Sequence, residues 1–532
     1  MAKVLVSDPV AEAGIAPLRQ ATGIEVDLRP GLKPDELKAI IGQYDALIVR
    51  SETKVTAELL AFAERLRIIG RAGVGVDNID VEAATKRGIL VVNSPDGNTI
   101  AAAELTVGLI LALARHIPQA DASLRAGKWE RKKFLGRELH GKTIGIVGLG
   151  RIGSAVAQRL KGFGVELIAY NPFVPETVTR QMGVEPVTLD ELVSRSDFIT
   201  VHTPLNESTR GLIGPAQFAR MKEGVYLINA ARGGIIDEEA LAEAVRNGKV
   251  AGYALDVFTT EPPSPENPLL HFPQSVVTPH LGASTVEAQI KVAVDVSEQI
   301  VEFLQGRPAR SPVNLPSLSE EEQARLEPFQ HLATAIGNLQ MQLALAQQKE
   351  RPIAAVEVVF HGDFGDLPTP PITRAVLYGL MLPVHNGRVN LVNAPYLTEM
   401  RGIRVLEQRR AATPDHTCLL SVHAHTAAGE RVICGTVYGN EPHIVHIDGY
   451  HVDIVPHGYM IITEHTDRPG IIGKVGTLLG EAGINIAGMH VGRAAIGGRA
   501  IMVLMIDDPV PPDLMEHIRE VGGLETAYLV KL

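Results

Sequence analysis

The sequence predicts an α/β protein: two doubly wound parallel-sheet domains, then a mixed α+β region, then a terminal βαββαβ unit. Three observations predict it. Short apolar runs alternate with helical stretches through residues 3–98 and again through 142–280, which is the rhythm of βαβ units. A proline-rich stretch with acidic residues behind it, RPARSPVNLPSLSEEE, interrupts that rhythm and reads as a linker. The last 75 or so residues then read strand, helix, strand, strand, helix, strand.

In the first region KVLVSD, DALIVRS, LRIIGRAG and GILVVNSP are the strands, after which Asn98 or Thr99 caps an apolar helix to about residue 115. The second region supplies KTIGIVG, VELIAYN, FITVHTP, VYLINAA, AGYALDV and SVVTPH. Each run ends at a polar residue or glycine, the place where ligands sit in open α/β sheets. A helix from about Ser284 to Leu304 is stopped by Gly306 and Pro308. A different module begins near residue 317, where TCLLSVHAHT, RVICGTVYG, PHIVHIDGY and HVDIVP predict an antiparallel sheet facing a few helices. GYMIITEHT, a helix over 469–482, INIAGMHVGR, GRAIMVLMID, a helix over 511–521 and TAYLVKL complete a ferredoxin-like pattern.

At 532 residues the chain is too long for one core, and three or four domains are expected. A net charge of −11 argues against a nucleic-acid footprint. The longest apolar run, Leu105 to Leu113, is too short to span a bilayer. Cys418 and Cys434 are the only cysteines, which excludes a disulfide framework and a multi-thiolate zinc site. MAKVLVSDP reads as a first strand and not as a signal peptide. A cytoplasmic protein is expected, with no metal, membrane or nucleic-acid partner.

The chemistry concentrates in the second region. In GKTIGIVGLGRIGSAVAQRL an apolar strand leads into Gly148, Gly150 and Gly153 and then an amphipathic helix. Glycines there let the backbone turn sharply and approach a pyrophosphate at the positive helix N-terminus, a Rossmann-like dinucleotide site. The strand-end position that would grip the adenosine ribose holds Asn171, whose amide can bond a ribose hydroxyl. His280 ends an apolar strand, where an imidazole can take the proton left by hydride transfer from an alcohol. Glu261 is the candidate carboxylate behind that ring, and Arg232, at a strand-to-helix turn, can hold a substrate carboxylate bidentately. Arg50, Ser51, Lys54 and Arg71 lie at strand ends, with Arg131 and Lys132 in the loop after Trp129, and together they offer a local basic patch for any anion the chain binds.

LIVRSETKVT, GRAGVGVDNID, GKWERKKFLG, GLGRIG, VHTPL, NAARGGIID, ALDVFTTEPP and PHLGAST give the chain a dense resemblance to the D-2-hydroxyacid dehydrogenases over residues 1 to about 310. Within that family it resembles the long forms that act on 3-phosphoglycerate with NAD at the entry to serine synthesis. The resemblance implies a substrate-binding domain of residues 1–98 and 283–312 around an NAD-binding domain of 99–282, with an intervening domain at 317–453. It implies catalysis by Arg232, Glu261 and His280. It also implies NAD contacts from Arg151, Ile152, Asn171, Thr203, Ala230, Ala231, Arg232 and Asp256, and from His280, Leu281, Gly282 and Ala283.

HTDRPGIIGKVGTLLGEAGINIAGM makes residues 455–532 resemble an ACT domain. His465, Asp467 and Asn485 match the positions that bind L-serine as effector. A homodimer or homotetramer is implied, with the Trp129 loop reaching the partner's active site. Another 2-hydroxyacid dehydrogenase, such as a hydroxypyruvate, glyoxylate or 2-oxoglutarate reductase, fits the same residues, as does a non-catalytic NAD-sensing protein.

Overall fold

Five parallel strands, β1 (Ala2–Val6), β2 (Ile24–Leu28), β3 (Ala46–Val49), β4 (Ile68–Arg71) and β5 (Leu90–Asn93), form the first sheet in the order β2-β1-β3-β4-β5. The computed structural model describes residues 1–347, 353–364, 367–385, 387–427 and 429–532. β1, β3, β4 and β5 are near-continuous apolar runs because both faces of the sheet are covered. One cover is the helix Val286–Leu304, far along the chain, whose Val292, Val296 and Ile300 pack on Val4, Ile48, Ile68 and Val92.

The second sheet has seven parallel strands: β6 (Thr143–Val147), β7 (Glu166–Tyr170), β8 (Glu185–Pro186), β9 (Phe198–Val201), β10 (Val225–Asn229), β11 (Val250–Leu255) and β12 (Ser275–Val277). Their order is β12-β11-β10-β9-β6-β7-β8, which reverses direction between β6 and β9, the place where such sheets open a ligand crevice. The helix Thr99–Ala114 buries Leu109, Ile110 and Leu113 in this domain's core. Asn98 occupies its N-cap position but makes no side-chain cap bond.

The expected linker is not free chain. Ser311, Val313 and Asn314 run along β5: Asn93 N–H bonds Ser311 O at 3.4 Å, Val313 N–H bonds Val91 O at 2.7 Å, and Asn314 Oδ1 accepts from Val91 N at 2.9 Å. Arg310 is held by Asp295, Glu298 and Glu302. Proline composition marked the break in helix and strand, but these polar side chains pin the segment.

Beyond it the helix Glu320–Gln347 starts on a Ser319–Glu322 capping pair. β13 (Ala355–Gly362), β14 (Arg404–Arg410), β15 (Cys418–Thr426), β16 (Gly429–Tyr438), β17 (Glu441–Ile447) and β18 (Tyr450–Ile454) follow. The sheet order is β14-β13-β15-β16-β17-β18, antiparallel except for the parallel β13–β14 pair, so it is mixed and not wholly antiparallel as expected. β14 escapes sequence patterning because all seven of its residues are exposed.

The terminal unit has β19 (Tyr459–Thr466), β20 (Ile486–Arg493), β21 (Arg499–Ile506) and β22 (Leu524–Lys531), ordered β20-β21-β19-β22 and antiparallel. Ile461, Met502 and Leu504 face its own two helices, whereas Met460, Ile462, Ile501 and Val503 join the core that contains Leu332, Ile336 and Leu339 of the helix Glu320–Gln347. The ferredoxin-like unit and the region before it therefore share one core. Among the described residues no single helix is long and apolar enough to cross a membrane.

Candidate active site

Three glycines shape the turn after β6 in three different ways. Gly148 has φ +94°, in the region that L side chains rarely adopt. A Cβ on Gly153 would come within 2.0 Å of the Gly148 carbonyl oxygen, so only glycine lets the helix Arg151–Leu160 pack so close. A Cβ on Gly150 would meet nothing within 4 Å. Open space therefore lies ahead of a ten-residue helix whose first N–H groups point into it, which is a cradle for a pyrophosphate. Thr203, whose methyl abuts Gly148, has a buried hydroxyl without a hydrogen-bond partner, and so does His202 Nδ1. These unsatisfied groups and the open cradle fit a dinucleotide. Asn171, just past β7, uses Oδ1 to accept from Phe173 N at 3.0 Å and keeps its amide N–H groups available. Arg151 pairs with Asp96 at 2.6 Å, and Ile152 packs into the core under the loop.

His280 and Glu261 are brought together. His280 Nδ1 lies 2.8 Å from Glu261 Oε2, and both side chains keep solvent access. Glu261 Oε1 also accepts from Phe258 N at 3.1 Å. Burial raises the pKa of the Glu261 carboxyl, but the bonds from His280 and Phe258, with the charges of His280 and Arg232, outweigh it and hold the group below the usual carboxylate value. His280 has φ 54°, an unusual conformation for a residue with a side chain.

Asp256, 1% exposed, holds that turn. Its Oδ1 accepts from Thr278 Oγ1 at 2.6 Å and Leu281 N at 2.7 Å, and its Oδ2 from Gly282 N at 2.9 Å. The carboxylate of Asp256 is thus committed to the Thr278 hydroxyl and to the backbone of Leu281 and Gly282, with Ala283 following. An apolar depression of about 410 Å³, with Phe258, Pro262 and Leu270 among its walls, adjoins the His280–Glu261 pair.

Arg232 follows Ala230 and Ala231 on a turn shaped by the buried Asn229, which accepts from Ala231 N at 3.0 Å and donates to Arg232 O at 2.8 Å. The guanidinium crosses to the first domain, where Nε donates to Asp77 Oδ2 at 3.2 Å. Gly73 and Gly75 make room for two arginines: a Cβ on Gly75 would lie 2.0 Å from Arg232 Nη2, and one on Gly73 would lie 1.5 Å from Arg71 Nη1. Burial pushes the Arg71 guanidinium down to about 10, with the charges of Arg232 and Arg50 pushing the same way and those of Asp77 and Asp8 opposing. Arg50 and Arg232 thus both bear on Arg71, whose Nε is buried without a partner. Like charges held this close create a strong local field for an anion.

The loop carrying Arg50 and Ser51 is fixed by Asp8, whose carboxylate accepts from the backbone N–H of Arg50, Glu52 and Thr53, and by Asn78, which donates to Arg50 O and Thr53 O. Sequence reasoning missed Asp8, Asp77, Asn78 and Asn229; a polar residue directly after the strand KVLVS was the available signal for the first. Lys54 lines a separate depression with Lys38 and Glu58. Arg131 and Lys132 are exposed on a short 3-10 helix and meet no carboxylate among the described residues.

The three proposed effector residues are not assembled within one chain. His465, 2% exposed, pairs with Ala500 at the start of β21, and Asp467 bonds Arg493 and Gly497 nearby. Asn485 sits beside Asp507, past the other end of β21. Seven residues at about 3.3 Å each put the two groups roughly 20 Å apart. The sequence could not show this, because the helix Ile471–Glu481 carries the chain back along the sheet before Asn485.

Residues 107–282 match the NAD-binding domain of the D-isomer specific 2-hydroxyacid dehydrogenases, residues 325–448 the D-3-phosphoglycerate dehydrogenase intervening domain, and residues 459–523 the ACT domain. The chain is 47% identical to D-3-phosphoglycerate dehydrogenase of Archaeoglobus fulgidus over 533 residues, covering all of both proteins. It belongs to the D-3-phosphoglycerate dehydrogenase family. The Bacillus subtilis enzyme of that name is 43% identical, again over the whole of both chains. Among solved structures, a glyoxylate reductase from Paecilomyes thermophila matches at 32% identity and TM-score 0.54, covering 59% of this chain and 98% of its own. D-lactate dehydrogenase from Escherichia coli matches at 28% identity and TM-score 0.53, covering 58% and 99%. The chain is an NAD-dependent oxidoreductase.

Proposed function

We propose that this chain oxidises D-3-phosphoglycerate to 3-phosphohydroxypyruvate. The reading rests above all on the His280–Glu261 pair standing beside the cluster of Arg50, Arg71 and Arg232, of which only Arg232 makes an ion pair among the described residues. With Nδ1–H donating to Glu261, the Nε2 lone pair of His280 is free to take the substrate hydroxyl proton. Bound NAD supplies the hydride acceptor. Glu261 steadies the imidazolium that forms, and Arg232 holds the substrate carboxylate in a two-bond fork. Arg50 and Arg71, presented by the Asp8-braced loop and by Gly73, take the phosphate. Gly148 to Gly153, Asn171 and Thr203 hold the cofactor, while Asp256 acts on it through the backbone of Leu281 and Gly282.

Trp129, 77% exposed, and Leu135 have no cover in the single chain. A homodimer in which the Trp129 loop reaches the partner's active site would bring Arg131 and Lys132 to the substrate and could fill the apolar depression beside His280. L-serine is the proposed effector, bound between two copies, with His465 and Asp467 from one and Asn485 from the other. A cytoplasmic site of action goes with this substrate.

The test is NADH formation across a panel of acids: 3-phosphoglycerate, D-glycerate, D-lactate and 2-hydroxyglutarate. The highest kcat/KM should belong to 3-phosphoglycerate. A higher value for an unphosphorylated acid would reassign the arginine cluster.

A further inference from the structure

A second arginine-rich site lies far from His280, at the joint between the first domain and the intervening region. There the chain leaves a cavity of about 360 Å³. The first domain contributes Arg67 and Phe303, the connecting segment Arg307 and Leu315, and the intervening region Arg374 and Leu391. Among the described residues no carboxylate lines it. The three arginines carry no ion pair among the described residues, although Arg310, three positions after Arg307, meets Asp295, Glu298 and Glu302.

What each guanidinium does touch leaves donors available. Arg67 stacks over the Phe303 ring at 5.3 Å. Arg307 uses one nitrogen on Gln305 Oε1 at 3.0 Å. Arg374 uses Nη1 on the carbonyls of Leu391 and Val392, at 3.0 and 3.3 Å, and burial lowers its pKa. Three cations around a partly apolar hollow, with no internal counter-ion, favour an anion that brings a short hydrocarbon body. The volume falls within the range of small-molecule sites.

We propose that this joint binds a small organic anion, a phosphate monoester or a carboxylate. Its walls come from three parts of the chain. The intervening region is otherwise clasped to the first domain by Arg388, which donates to Leu66 O, and by Asn390, which donates to Gly88 O at 2.7 Å. A ligand touching all three parts binds best in one arrangement of them, and so couples the two regions. The site is separate from the substrate cluster of Arg50, Arg71 and Arg232 and does not depend on the reaction assigned to it.

The experiment is titration calorimetry on the full chain saturated with NADH, which fills the pyrophosphate cradle, with inorganic phosphate and, separately, with malonate, in an Arg71→Ala background that weakens anion binding at the substrate cluster. One binding event should remain, and Arg67→Glu with Arg307→Glu should weaken it by at least about tenfold. In the otherwise native chain the same pair should leave KM for 3-phosphoglycerate unchanged. Response to phosphate alone identifies a phosphate ester as the ligand class, and response to malonate alone a carboxylate. Gln323→Trp, which fills the cavity without changing charge, serves if the double variant melts early, and it should abolish the event. Absence of binding of either anion up to on the order of 10 mM, or unchanged affinity in these variants, overturns the site.

Discussion

Asp77 of the first domain and Arg232 of the second are joined across the cleft at 3.2 Å, so the arginine proposed to hold substrate is already tied to the opposite wall. The Asp77 side chain is 74% exposed, and an exposed ion pair contributes about 0–1 kcal/mol. Asp77→Asn should therefore change KM for 3-phosphoglycerate by less than about fivefold and leave kcat alone. Arg232→Lys, which loses the two-bond fork, should raise KM by well over about tenfold. Steady-state kinetics of the two variants decide; equal effects would make the ion pair, and not the fork, the holding device.

The glycine turn separates folding from cofactor binding. Gly150→Ala adds a methyl group to open space at a negative φ, so melting should be unchanged while NADH affinity falls by about tenfold or more. Gly153→Ala drives a Cβ against the Gly148 carbonyl, and overpacking of that kind costs about 1–3 kcal/mol. Calorimetric melting beside NADH titration checks both. Lost stability in the first variant would show that the space ahead of the helix is not there.

His202 gives the cofactor domain a pH dependence. Burial pushes this imidazole from its ordinary 6.5 to about 4, with Nε2 on the Thr200 hydroxyl at 3.0 Å. Between those two values the unfolded chain binds a proton that the folded chain does not, so stability falls as pH drops from 6.5 to about 4 and stops falling below that. His202→Asn should flatten the melting temperature of this domain over that window. A slope equal to that of the native protein would assign the titration to another group.

The proposed serine site, shared by two copies, has its own test. Asn485→Ala and Asp467→Ala should each lose inhibition, and co-refolding the two should restore a fraction of it, because mixed dimers hold one intact site. No recovery, with mixed dimers demonstrated by mass, would mean that each chain binds the effector alone or not at all.

Much of this was legible in the sequence, for identifiable reasons. The glycine turn, Arg232, Glu261 and His280 each sit where an apolar run ends, and a parallel sheet puts such ends along one edge. Less visible were the groups that act through space. Gly73 and Gly75 look like ordinary loop glycines until Arg71 and Arg232 are seen lying over them. The run RAIMVLMI is apolar at almost every position, which signals a strand buried on both faces, and the shared core beneath β21 is the structural reason. β14 buries none of its seven residues, its Val405 and Leu406 included, and could be found only through its partner β13.

The most direct measurement of the central claim is His280→Ala, with kcat for 3-phosphoglycerate oxidation and the NADH dissociation constant determined on the same preparation. In the proposed mechanism the ring moves a proton while Gly148 to Gly153 hold the pyrophosphate, so kcat should fall by about 10²–10⁴ and NADH binding should change little. A variant that turns over at near-native rate would contradict the assignment of His280 as the proton acceptor.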